Sequence, residues 1–169
     1  MFDINIDESL PKAVFYKELS AQLESLLYGE RDLICNAAQL SAFIMQSVPD
    51  LNWAGFYFSR GQELVLGPYV GKVACPRIPL TKGVCGAAAT TKTVQRVADV
   101  HQFPGHIACD GDTRSELVFP IFDGGALIGV LDLDSPVKDR FDEEDQLGVG
   151  QFVEIFVKST DFNWSIGAF

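Results

Sequence analysis

Two pairs of strand-like runs, each closed by a glycine-bearing turn, constrain this chain more than any other feature. WAGFYFSR (53–60) and ELVLGPYV (63–70) flank Gly61-Gln62, and SELVFPIF (115–122) and ALIGVLDLD (126–134) flank Asp123-Gly124-Gly125. β-Branched and aromatic runs bounded by such turns predict β-hairpins, and a hairpin pairs its strands antiparallel. Helical periodicity lies outside these runs. Val14, Phe15, Leu19, Leu23 and Leu26 set a helix over residues 11–27, with Pro11 in its first turn. Leu33, Ala37, Leu40 and Ile44 set a second over 30–47, in which Cys35 reads as a small structural residue. FDEEDQLGVGQFVEIFVKST (141–160) makes a terminal helix with acids in its first turn, where the macrodipole favours them.

Between the hairpins, GKVACPRIPL (71–80) reads as extended, KGVCGAAATTK (82–92) as a short helix of small residues, and VQRVADV (94–100) as a short strand. Residues 101–114 form a long loop. Helices flanking hairpin-connected strands predict an α+β fold, a mainly antiparallel central sheet flanked by helices, rather than a doubly wound parallel sheet. With 169 residues, the expectation is one domain over 1–169.

Charge narrows the partners. Thirteen Lys and Arg against 23 Asp and Glu give a net charge of −10, which argues against nucleic acid and anionic membrane surfaces. No apolar run approaches the ~18 residues of a membrane span. MFDINIDESLPK lacks the regions of a secretory signal, so the expected compartment is the cytoplasm. There, four cysteines point to chemistry, metal or inert packing rather than to a structural disulfide framework.

Cys75 precedes Pro76, and Cys109 lies in the polar stretch HIACDGDTRSE (106–116). Loops of this kind, held by a scaffold, are where chemistry concentrates. Cys85 sits near the start of the small-residue helix, where the dipole lowers a thiol pKa if the sulfur faces that end; a small buried residue is the competing reading. Zinc is the obvious rival use of Cys75, Cys85, Cys109, His101 and His106, but no pair among them has zinc-finger spacing, and no metal site is expected. A cysteine–histidine nucleophile has no recognisable local signature here. A redox pair, one thiol oxidised and a second resolving it, fits better.

Asp132 and Asp134, two apart at the end of one strand, share a face. A three-residue Asp-Gly-Gly turn pairing Phe122 with Ala126 places Glu116 opposite Asp132. A two-residue turn places it opposite Leu133, on the other parity. The first register gathers the three acids beside Val118, Phe122, Ile128 and Val130. Either the acids form a solvated strand end, or they form a small pocket in which one keeps its proton near neutral pH. Such a pocket could hold an ammonium and donate a proton. Trp53 and Tyr57, four apart on one strand, read either as core or as an aromatic wall beside it.

GKVACPRIPLTKGVCGAA, VADVHQFPGHIACDGDTRSE, GVLDLDSP and RFDEEDQ together resemble the free methionine-(R)-sulfoxide reductase family, single-domain enzymes of GAF fold. The resemblance runs from about residue 11 to 160. It implies a mainly antiparallel sheet with packed helices, and reduction of free methionine (R)-sulfoxide rather than of the residue within a protein. It implies that Cys109 attacks the sulfoxide sulfur and becomes a sulfenic acid, and that Cys75 resolves it as a disulfide. Cys85 matches a third family cysteine, serving recycling or an alternative disulfide. Thioredoxin restores the thiols as external reductant, with no bound cofactor. Glu116, Asp132 and Asp134 match the substrate-binding acids, and Trp53 and Tyr57 the aromatics around the methyl–sulfur end. A homodimer is compatible with a small enzyme of this kind. The alternatives from other classes are a non-catalytic GAF module that binds a small molecule and a thiol redox sensor; turnover separates both from the enzyme.

Overall fold

A computed structural model describes residues 3–105 and 110–163. Cys109 and His106 therefore lie outside the described residues. The elements in chain order are helices α1 (Lys12–Leu26) and α2 (Leu33–Ser47), strands β1 (Trp53–Arg60), β2 (Glu63–Gly71) and β3 (Arg77–Pro79), and helix α3 (Gly83–Thr91). Strand β4 (Gln95–Val97) follows, then β5 (Ser115–Asp123), β6 (Ala126–Ser135) and helix α4 (Glu143–Ser159). Both hairpins form where the turns predict them. The expected strand over 94–100 shortens to three residues and gives way to a 3-10 turn at Val100–Gln102. Pro11 stands just ahead of α1 rather than inside its first turn.

All six strands join one sheet in the order β3-β2-β1-β6-β5-β4, every described pairing antiparallel. Strand alternation sends side chains to two separate cores. Ala54, Phe56 and Phe58 of β1, Leu117, Phe119 and Ile121 of β5, and Leu131 and Leu133 of β6 pack with α1, α2 and α4. On the opposite face Trp53, Tyr57, Val118 and Val130 pack with α3 through Val84, Cys85, Ala88 and Ala89. Because both faces are covered, the central strands read as nearly continuous apolar runs instead of alternating ones.

The register of the second hairpin differs from expectation and explains how the acids come together. The turn has two residues, Gly124 and Gly125, both at positive φ (53° and 88°), with Asp123 paired to Ala126. Positive φ at both positions is the geometry whose twist matches a hairpin, and glycine adopts it without a Cβ clash. Alone, that turn would put Glu116 opposite Leu133. The ladder shifts by one residue between Ile121 and Phe122, pairing Phe122 with Leu127 but Ile121 with Gly129. That bulge restores the parity: Glu116 faces Asp134, and Val118 faces Asp132. It also corrects the expected neighbours. Ile128 turns to the helix-covered core, while Leu127 joins the α3 side.

Asp142 and Asp145 form a reciprocal capping box at the start of α4. The buried Asp145 also accepts from Lys12 Nζ (2.7 Å), Tyr16 Oη (2.8 Å) and an Arg140 guanidinium nitrogen (3.0 Å). This network ties α1 to α4 and leaves the opposite face of the sheet for the cleft.

Candidate active site

A narrow cleft opens between the sheet and α3. Its lining contains Trp53, Tyr57, Cys85, Glu116, Asp132 and Asp134 together, with Asp110, Thr113, Val73 and Ala74 at its edge. The sheet supplies the acids and aromatics; α3 supplies the cysteine.

The floor is an acid cluster. Asp132 and Glu116 are buried, and Asp134 is partly buried. Cys85 Sγ stands 3.3 Å from Asp132 Oδ2 and 3.9 Å from Glu116 Oε1, so its S–H donates to the nearer carboxylate. Burial pushes the Asp132 carboxyl up to about 6, with the Cys85 thiol and Glu116 opposing the rise. Glu116 is pushed well above the usual carboxyl range by burial and then by the charges of Asp132 and Asp134. Asp134 moves the same way through burial and the Asp132 charge. Like charges in a dry site cannot all ionise, so the three carboxyls share protons near neutral pH and titrate as a group.

The Cys85 sulfur faces the carboxylates, and burial, reinforced by Asp132 and Glu116, pushes the thiol well above its ordinary value. The lowered pKa is conditional on a sulfur facing the helix start; the sulfur instead faces Asp132, and the competing reading of a small buried residue describes Cys85.

The wall is aromatic. Trp53 stacks on Tyr57 at 5.9 Å between centroids and on Tyr69 at 5.3 Å. The Trp53 indole N–H donates to the Lys72 carbonyl (3.2 Å), and the Tyr57 hydroxyl donates to the Cys75 carbonyl (3.0 Å). Both aromatics thus fasten the segment between β2 and β3 that carries Cys75. Cys75 is disulfide-bonded, whereas Cys35 and Cys85 carry free thiols.

Five residues at the rim escaped the sequence reading. Asn52 Nδ2 donates to Asp110 Oδ2 (3.1 Å) and Thr113 Oγ1 (3.2 Å). Lys72 Nζ pairs with Asp110 (3.3 Å) and with Asp112. The Asp112 backbone N–H, helped by Asn52 and Lys72, holds the Asp110 carboxyl below its usual range. The segment beginning at Asp110 is therefore clasped to β1 and to the Cys75 segment. Asp110 in a quoted polar loop was the available signal; the partners lie about forty and sixty residues away and no spacing rule links them. His101 packs beside Asp99 (3.1 Å).

The GAF domain family model matches residues 36–154. Over 154 residues, 89% of this chain and 93% of the relative, the sequence is 45% identical to free methionine-R-sulfoxide reductase of Escherichia coli (strain K12). The Saccharomyces cerevisiae protein of the same name is 40% identical over 167 residues, 94% of this chain and 93% of that one. This chain belongs to the free methionine-(R)-sulfoxide reductase family of GAF-domain proteins. The structure of the Neisseria meningitidis free methionine-R-sulfoxide reductase, determined with its substrate, superposes with a TM-score of 0.89 at 39% identity, covering 94% of this chain and 95% of that one. Members of the family are oxidoreductases, and the α+β fold with its antiparallel sheet agrees with the family's GAF architecture.

Proposed function

We propose that this protein reduces free methionine (R)-sulfoxide to methionine. The observation that carries the reading is the single cleft joining Glu116, Asp132 and Asp134 to the Trp53–Tyr57 wall beside the Cys75 segment. The free α-ammonium of the substrate pairs with the acid cluster, where it relieves the repulsion that raises these carboxyls. The methyl–sulfur end lies against the aromatics. A carboxyl that keeps its proton donates to the sulfoxide oxygen as the S–O bond breaks. A peptide-bound methionine has no ammonium to offer the cluster.

In this reading the Cys109 sulfur attacks the sulfoxide sulfur, the oxygen passes to Cys109 as sulfenic acid, and methionine leaves. The Cys75 thiol then displaces that oxygen as water and forms the Cys75–Cys109 disulfide. The disulfide-bonded state of Cys75 and the free thiols of Cys35 and Cys85 support this pairing. A thioredoxin dithiol reduces the disulfide, so the net reaction consumes sulfoxide and dithiol and releases methionine, water and thioredoxin disulfide. No bound cofactor takes part. Cys85, buried and strongly protonated, is suited to holding the acids in place; service in recycling or in an alternative disulfide would first need its proton removed. A homodimer working in the cytoplasm completes the proposal. No described helix is long and apolar enough to cross a membrane.

The test is NADPH consumption in a thioredoxin-coupled assay with free methionine (R)-sulfoxide, its (S) epimer and a capped (R)-sulfoxide. Turnover of the free (R) form alone, lost in Cys109→Ser, is expected. Ligand binding without turnover would overturn the proposal and leave a binding module or sensor. A narrower test concerns Tyr57. Removing its hydroxyl leaves the Cys75 carbonyl without that donor and costs about 1 kcal/mol. Tyr57→Phe should therefore slow disulfide closure about fivefold, measured by quenching single turnovers with a thiol label. An unchanged closure rate would remove Tyr57 from this positioning role.

A further inference from the structure

We infer that Cys85, Glu116 and Asp132 form a binding site for a thiophilic divalent cation of the zinc class. The Cys85 sulfur, one Glu116 oxygen and one Asp132 oxygen lie within 4.8 Å of one another, and all three residues are buried. A tetrahedral zinc ion, with Zn–S about 2.3 Å and Zn–O about 2.0–2.2 Å, requires a sulfur–oxygen separation of about 3.6 Å. The two observed separations, 3.3 and 3.9 Å, bracket that value. Three donors with an open fourth position suit such an ion and leave the cleft side for water.

A second observation points to a missing ligand. Asp132 Oδ1, the oxygen not bonded to Cys85, is buried and meets no nitrogen, hydroxyl or thiol donor among the described residues; its carboxyl neighbour Glu116 hydrogen-bonds to Asp132 only while one of the two holds a proton. A buried acceptor left unpaired costs free energy that a cation would recover. Charge agrees as well. Glu116, Asp132 and Asp134 crowd one face, and no described residue of the cleft lining is basic, so a dication meets concentrated negative potential. The sulfur selects for zinc, cobalt or cadmium over magnesium and calcium, which prefer oxygen alone. Binding replaces the Cys85 S–H bond with a sulfur–metal bond and releases the proton to solvent. The three donors come from α3, β5 and β6, which is why local spacing in the sequence offers no metal motif.

This site shares the cleft with the proposed substrate site, so a bound cation and the substrate ammonium exclude each other. The inference itself rests on the donor geometry and is read without turnover. Cobalt(II) is titrated into the full chain with its disulfide intact, which keeps Cys75 from acting as a ligand. One equivalent should bind with a thiolate-to-cobalt charge-transfer band, and zinc should bleach it. The band should persist in Cys35→Ser, disappear in Cys85→Ala, and need at least tenfold more cobalt in Asp132→Asn. A wild-type protein without the band, or a Cys85→Ala protein that keeps it, would overturn the inference. The wild-type and Asp132→Asn spectra suffice should Cys85→Ala fail to fold. A protein that shows the band but reduces no sulfoxide would retain this site and lose the reductase reading; a reductase without the band would do the reverse.

Discussion

Asp132→Asn should lower kcat/KM for free methionine (R)-sulfoxide by about 150- to 5000-fold while raising the melting temperature. The two effects share one cause. In the proposed reading Asp132 carries the charge that pairs with the substrate ammonium. Losing a desolvated partner of a charge costs about 3–5 kcal/mol, which sets the fall in activity. The same charge burdens the empty fold. Its carboxyl rises from the ordinary 3.8 to about 6 because burial disfavours the anion. Above both values the folded state carries a penalty on the order of 3 kcal/mol, which asparagine, being neutral, avoids. In a domain of this size each kcal/mol moves the midpoint by about 2–4 °C, so a rise of several degrees at pH 7.5 is expected.

The sign of the pH dependence follows. Between about 4 and 6 the folded state holds a proton on Asp132 that the unfolded chain has released. The stability contributed by this group is complete below about 4 and is lost as pH rises through about 6. Lys12-paired Asp142, held down at about 2, acts in the opposite direction at lower pH, but it is common to both proteins. The difference between wild type and variant therefore reports Asp132 together with the neighbours its charge raises, Glu116, Asp134 and Cys85. Calorimetry at pH 4 and pH 7.5 should show the two melting close together at the acid end and apart at the other. A variant that melts lower than wild type at pH 7.5 would show that Asp132 is not strained in the fold.

Much of this was legible because hairpins and helices announce themselves locally. The two turns, the helix stripes and the shared parity of Asp132 and Asp134 all follow from neighbours within a few residues. Glu116 shows where local reading stops. Its place beside the other acids depends on a one-residue bulge at Ile128, which no turn rule predicts, and the expected register paired it with Asp132 rather than Asp134. Cys85 shows a second boundary. Its position on the helix was readable, but the direction of its sulfur was not, and that direction reverses its acidity. The Asn52–Asp110–Lys72 clasp shows a third, since its members meet only after β1, β2 and the segment beginning at Asp110 converge.

Gly129→Ala should be the most damaging small substitution in the sheet. Gly129 pairs with Phe58 across the contact between β6 and β1, at the centre of the six strands. A Cβ there would stand 2.1 Å from the Tyr57 carbonyl oxygen and 2.9 Å from Phe58 Cα. Both atoms are backbone, so no rotamer change relieves the clash; β1 and β6 must move apart by about 1 Å to restore contact distance. Overpacking costs about 1–3 kcal/mol where side chains can yield, and more where they cannot. A fall in melting temperature of about 6–12 °C is expected, together with a raised KM, because the displaced strand carries Trp53 and Tyr57. Gly124→Ala is the control that separates space from conformation. It has open space around the added methyl but a φ of 53°, so it pays only the left-handed strain of about 1–2 kcal/mol and leaves KM unchanged. If the two variants melt together and both keep wild-type KM, the contact between Gly129 and Tyr57 does not hold the aromatic wall. If only Gly129→Ala loses affinity, the close approach of these two strands sets the position of the wall.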